Sequence, residues 1–190
     1  GNYGIYGGWH NEVSIANEKG ITLYQTSIRN NPQKHMDLSS TTNARKVAEY
    51  LNTKYYSNNK NDAMFCLMDD YSWYNTTDSQ SSYSTIYYNF INKVAEELEK
   101  IVTHKVSLVA VAYHQTIVCP TSWVPHSGNK VGIKVYYSPS NLVFAAKPNS
   151  KFNNKSIKMQ DDIFDSPALS YNPYENTMDW NNLANKYDLP

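Results

Sequence analysis

The chain has few cysteines, few glycines, no net charge and no long apolar run, and each shortage removes a class of protein. Two cysteines in 190 residues, Cys66 and Cys119, cannot make a disulfide framework or a thiolate metal site. Cys66 lies inside an apolar segment and is expected to be a small buried hydrophobe. Cys119, beside Pro120, can stay free, and a bridge between the two would need neighbouring strands. Seventeen acidic residues balance 17 basic ones with no basic block, which argues against a nucleic-acid partner and against an anionic membrane surface. No stretch approaches the ~20 apolar residues of a membrane span, so no membrane insertion is expected. No signal peptide follows Gly1, a start that says little about the native protein. Phosphate-cradling glycine loops, nucleophile elbows and Cys–His arrangements are missing as well. His35, His104 and His126 have no ligand spacing, so neither a metal nor another cofactor is expected.

Aromatic and amide residues fill the composition instead. Seventeen tyrosines and many asparagines make a polar, ring-rich chain suited to hydroxylated ligands, although base composition of the genome can produce the same bias. The most informative stretch is Ala63-Met-Phe-Cys-Leu-Met-Asp-Asp-Tyr-Ser-Trp-Tyr-Asn75. An apolar run of strand length ends in Asp69 and Asp70, and Tyr71, Trp73 and Tyr74 crowd the loop that follows. Ligand chemistry in α/β folds gathers at the carboxyl ends of strands. Carboxylates can accept sugar hydroxyls or move protons, and flat rings stack on a pyranose. The competing reading is local: an Asp that caps the next helix, with the rings packed into a loop core.

The elements alternate in type. Residues 1–8 are expected to be coil and Ile21–Thr26 a short strand. A helix begins after the N-cap hydroxyls of Ser39-Ser-Thr-Thr42, with Ala44, Val47, Ala48, Leu51 and Tyr55 at helical spacing. Ala63–Met68 is the acid-tipped strand. A helix over about Ser84–Thr103 follows, one face carrying Tyr87, Phe90, Ile91, Val94, Leu98 and Ile101. Val106–Tyr113 is too apolar for a half-exposed strand and suits a parallel sheet covered on both faces. Val131–Tyr136 is a further strand, and the loop before it, which includes Trp123, is too short for a full crossover helix. Lys147–Pro173 is expected to be a long loop and Asp179–Tyr187 a short amphipathic helix.

This order predicts an α/β domain over 1–190 with a parallel sheet and right-handed helical crossovers. Residues 147–190 would form an irregular tail with a short helix. A complete eight-stranded barrel takes about 250 residues. The four or five strands here therefore make either a small open sheet or, as we favour, a partial TIM-barrel-like (β/α) architecture completed by flanking sequence of a longer chain.

Several segments, read in order, carry a resemblance. They are Gly8-Trp-His-Asn11, Asp37-Leu-Ser-Ser-Thr-Thr-Asn43 before a helix, the strand ending in Asp69-Asp-Tyr-Ser-Trp-Tyr74, and the helix Tyr88-Asn-Phe-Ile-Asn-Lys-Val-Ala-Glu96. Val109-Ala-Val-Ala-Tyr-His-Gln-Thr116, Asn129 and the strand from Val131 complete the set. Over roughly residues 8–146 the chain resembles a domain-of-unknown-function family of (β/α)-barrel proteins related to the alpha-glucuronidases and beta-hexosaminidases. That family usually has paired cysteines just after the acidic strand end. Trp73, Tyr74 and Asn75 stand there in this chain, which argues against a metal or disulfide in that loop. The resemblance implies a glycoside-hydrolase-like protein acting on or binding an oligo- or polysaccharide, with a secreted or cell-surface location.

The expected site combines Asp70, or Asp69, as the catalytic acid with Trp9, His10, Tyr71, Trp73, Tyr113, His114 and Tyr136 as substrate-binding residues. Glycosidic cleavage normally needs two facing carboxylates, and strand neighbours such as Asp69 and Asp70 point to opposite faces. A second acid would have to be Asp37, one of Asp161, Asp162 and Asp165, or a residue outside this sequence. That shortage keeps a non-catalytic carbohydrate-binding or cell-surface interaction module open as the alternative. Trp9-His10 could be a sugar-stacking lid or a satisfied surface turn. His114 could bond a ligand or the backbone, and of Tyr136 and Tyr137 one should face a pocket and the other the core.

Overall fold

The computed structural model describes residues 5–25, 34–67, 80–113, 116–137, 157–158, 170–171 and 173–190. Four strands form a parallel sheet: β1 (Ile5–Tyr6), β4 (Asp62–Met64), β5 (Val106–Ala112) and β6 (Val131–Tyr137), in the order β1-β4-β5-β6. Between β1 and β4 come α1 (Glu12–Lys19), the strands β2 (Leu23–Gln25) and β3 (Lys34–Met36), and α2 (Thr41–Lys54). β2 and β3 pair antiparallel as a separate two-stranded sheet. α3 (Gln80–Ile101) joins β4 to β5, and α4 (Pro173–Tyr187) closes the chain. The parallel α/β arrangement with helical crossovers therefore holds, and each long strand lies beside the next in sequence.

The two faces of the sheet are packed differently because side chains alternate along each strand. Phe65, Leu67, Leu108, Ala110, Val131 and Ile133 join the main core with the apolar sides of α2 and α3. Met64, Cys66, Val109 and Val111 make a second, smaller buried cluster. With residues from both clusters, β5 is buried on its two faces, as its continuous apolar run predicts. The Tyr87 hydroxyl crosses from one strand to the next beyond the β4 ladder. It donates to the Phe65 carbonyl at 2.7 Å and accepts the Val111 N–H at 3.0 Å. Burial, with Cys66 close by, holds this phenol well above its ordinary pKa although the Val111 amide pulls the other way.

α2 starts where Ser40 accepts the Asn43 N–H. In α3, Tyr87, Phe90, Ile91, Val94 and Leu98 are buried, whereas Ile101 is 37% exposed and Val102 fills the core instead. α4 begins six residues before the expected Asp179, at Pro173, a residue whose fixed φ and missing N–H suit a first helical position. β1 lies in the expected coil, and α1 and β3 were not legible from periodicity. β7 (Ile157–Lys158) and β8 (Ser170–Tyr171) pair antiparallel within the expected long loop. β5 and β6 are parallel and their described connection contains no crossover helix. Trp123, in that connection, is buried and packs on Tyr88, which also contacts Trp180. Cys66 and Cys119 are both buried and free, and the bridge between them is not formed. Burial, with Asp179 adding to it, pushes the Cys119 thiol up to about 12.

Candidate functional site

The turn after β1 brings the site together. Gly7 has φ +114°, and a Cβ there would stand 2.7 Å from the Met64 carbonyl oxygen and 2.9 Å from Asn11 Nδ2. Only glycine fits so close to the neighbouring strand in that conformation. His10 also takes a left-handed φ, 56°, and its Nδ1–H donates to the Leu67 carbonyl at 2.7 Å. Asn11 behaves as a short strand of its own. Its Nδ2 donates to Met64 O at 2.7 Å and its Oδ1 accepts Cys66 N–H at 2.9 Å. Two successive residues thus bind the stretch that continues β4 toward Asp69.

Glu12 anchors this turn from within. It is fully buried, its N–H donates to Cys66 O at 3.2 Å, and its carboxylate takes the Met36 N–H at 2.9 Å and His35 Nδ1 at 2.8 Å. His35 is fully buried too. A buried carboxylate persists only when paired and hydrogen-bonded, and here the partners come from β3. Sequence reasoning missed Glu12 and gave His35 no role. Their partnership spans 23 residues and has no local spacing to betray it.

Held this way, Trp9 remains 46% exposed at the carboxyl end of the sheet. Its ring meets Tyr113, just beyond β5, at 5.5 Å and 69°, and Tyr136, near the end of β6, at 5.7 Å and 85°. Both are edge-to-face contacts of the favoured kind. The His10 ring lies 6.3 Å from that of Tyr113, and Tyr136 is 45% exposed. Tyr113 packs on the smaller buried cluster, which supports the group from beneath. Four of the expected residues, Trp9, His10, Tyr113 and Tyr136, therefore converge from three different strand ends. Of the tyrosine pair, Tyr136 faces this group and Tyr137 packs on Trp180.

Asp69, Asp70, Tyr71, Trp73 and His114 lie outside the described residues, as do Asp161, Asp162 and Asp165. Asp37 is described, and it forms a local turn: its Oδ1 accepts the N–H and the hydroxyl of Ser39 at 2.8 and 2.6 Å. Those bonds give its carboxylate a structural role before α2. Among the described residues, no group of three or more His, Cys, Asp or Glu is placed to hold a metal ion. Nor is any described helix long and apolar enough to cross a membrane. No protein-family model matches this chain, and no curated protein or solved structure does either.

Proposed function

We propose that this is a carbohydrate-active protein that binds an oligo- or polysaccharide across Trp9, Tyr113 and Tyr136, with His10 at the edge of the platform. The observation that carries the reading is Trp9 itself: a half-exposed indole whose edge contacts with Tyr113 and Tyr136 fix its plane. A pre-oriented ring loses little conformational freedom on binding, and its flat face suits the C–H face of a pyranose. The position at the carboxyl ends of parallel strands agrees with where α/β folds place ligand sites. Sequential strand order β1-β4-β5-β6 further supports the reading of this sheet as an arc of a (β/α) barrel. Glycans of that kind are met outside the cell or on its surface, which is where we place the protein's work.

No carboxylate belongs to the described aromatic group, so binding is the primary activity proposed. Hydrolysis would rest on Asp70 or Asp69. A glycan-array screen of wild type and Trp9→Ala tests the reading. Wild type is expected to retain a defined set of poly- or oligosaccharides that the variant loses, with its thermal unfolding unchanged. Binding that is equal in both proteins would remove the platform from the function. On any glycan retained, Asp70→Asn separates the two classes: loss of turnover assigns an enzyme, and absence of turnover in wild type assigns a binding module.

A further inference from the structure

At the other end of the sheet, the amino ends of β4, β5 and β6 border an open cleft of about 510 Å3, a volume in the range of small-ligand sites. Register sets Asp62, Ser107 and Gly132 side by side on one face, and Lys134 follows Gly132 two residues on, on the same face. Nothing lies within 4 Å of the point where a Cβ on Gly132 would stand. A glycine inside a strand weakens it, and this one relieves no clash. Its effect is to leave the cleft floor bare.

The walls are built and fixed. Lys134 Nζ reaches over β5 to both oxygens of Asp62, at 3.0 and 2.9 Å, and its side chain stays 35% exposed. The rim at 128–131 is clamped by Glu99 from α3, whose carboxylate accepts the N–H groups of Asn129, Lys130 and Val131 at 3.1, 3.0 and 2.9 Å. A Cβ on Gly128 would run into that carboxylate and the His126 ring, so a side chain there would make Glu99 shift. Lys130 Nζ donates to Val102 O at 2.8 Å. Lys105, at the mouth, has no carboxylate partner among the described residues. Lys105, Lys130 and Lys134 thus line the cleft with Asp62, while the Glu99 carboxylate stands at its rim.

We propose that this cleft binds a small molecule bearing a phosphate group, held between Lys105 and Lys134 with Ser107 as a hydrogen-bonding neighbour. The rim amides already serve Glu99, so recognition falls to side chains. Ammonium groups act as point charges toward a tetrahedral dianion, and no guanidinium fork is present to favour a planar carboxylate. The site is independent of the aromatic platform, and its failure would leave that reading intact.

The test titrates inorganic phosphate, and acetate in parallel, into the full chain at low salt while following the amide resonances of Ser107, Gly132 and Lys134. Saturable shifts confined to 105–107 and 128–134 are expected with phosphate and not with acetate. Lys105→Ala should weaken binding roughly fivefold or more, and Gly132→Val should abolish it by filling the floor. Non-saturating shifts, or phosphate binding unchanged in both variants, would mean an adventitious ion only and overturn the proposal. Equal affinity for acetate would overturn the phosphate assignment. Should Gly132→Val fail to fold, Lys105→Ala at its exposed position decides alone.

Discussion

Single polar atoms decide whether the turn carrying Trp9 stays in place. Glu12 is the sharpest case, since its carboxylate and the His35 ring are both fully buried. Removing one member of such a pair leaves the other without its partner and typically costs about 3–5 kcal/mol. Glu12→Ala is therefore expected to lower the unfolding free energy from urea titration by that order. Glu12→Gln, which keeps the volume and an acceptor for the Met36 N–H, should be milder, and equal loss in the two would show that the carboxylate's pairing with His35, rather than volume, carries the effect. Tyr87 offers a cleaner subtraction. Tyr87→Phe removes one hydroxyl and strands both the Phe65 carbonyl and the Val111 amide, so a loss of about 1–3 kcal/mol is expected in equilibrium unfolding. A loss below a few tenths would mean that water replaces the hydroxyl.

At the level of elements, two clamps hold long connections that have little secondary structure. The first is Glu99 on the 128–131 rim. Partial desolvation raises its pKa, but the amides of Val131 and Lys130, then His126 and the amide of Asn129, outweigh this and hold it below the ordinary carboxylate value. A depressed folded-state pKa contributes stability above the unfolded value, and that stability is lost as pH falls through the folded one. Wild type is therefore expected to lose stability below the usual carboxylate range more steeply than Glu99→Gln, measured as urea midpoint against pH. Parallel curves would assign the acid limb to other groups. The second clamp is α4 on the connection after β5. Asn176 accepts the Cys119 N–H at 2.7 Å and donates to Ile117 O at 2.9 Å, while Trp180 Nε1 donates to Ile117 O at 2.8 Å. Asn176→Ala breaks these two bonds, and a longer one from Nδ2 to the Tyr137 hydroxyl at 3.4 Å, in a buried setting. A loss of about 1–3 kcal/mol is expected, with exchange of the Cys119 amide accelerated more than that of β5. Uniform acceleration would mean that the latch and the sheet open together.

Across the whole molecule, β5 is the strand around which both cores are organised, with β4 and β6 paired on either side. Its amides should exchange only through global unfolding, and those of β1, at the sheet's edge with two residues, through local opening. Hydrogen exchange in which β5 amides open below the global free energy would contradict this hierarchy. Polarity is also set at this scale. Because every strand in the parallel sheet runs the same way, carboxyl termini gather at one end, with the rings of Trp9, Tyr113 and Tyr136, and amino termini at the other, with Lys105 and Asp62. The two proposed sites would then share one scaffold without touching.

The residues themselves determined the parallel α/β class. The apolar run of Val106–Ala112 requires burial on both faces, and the helical spacings of α2 and α3 require a core to pack on. They also marked Tyr113 and Tyr136 as rings at expected strand ends, and Trp9 and His10 as a pair following two glycines in expected coil. Only the tertiary structure decided that these four meet, that Glu12 belongs with His35, and that Gly132 opens a cleft beside Lys134. Each of those relations joins residues from separate strands or turns, and strand neighbours are chosen by the burial of whole faces rather than by any local pattern. Short elements such as β1 and β3 were illegible for the same reason: two or three residues carry no period, and their pairing partners supply the order.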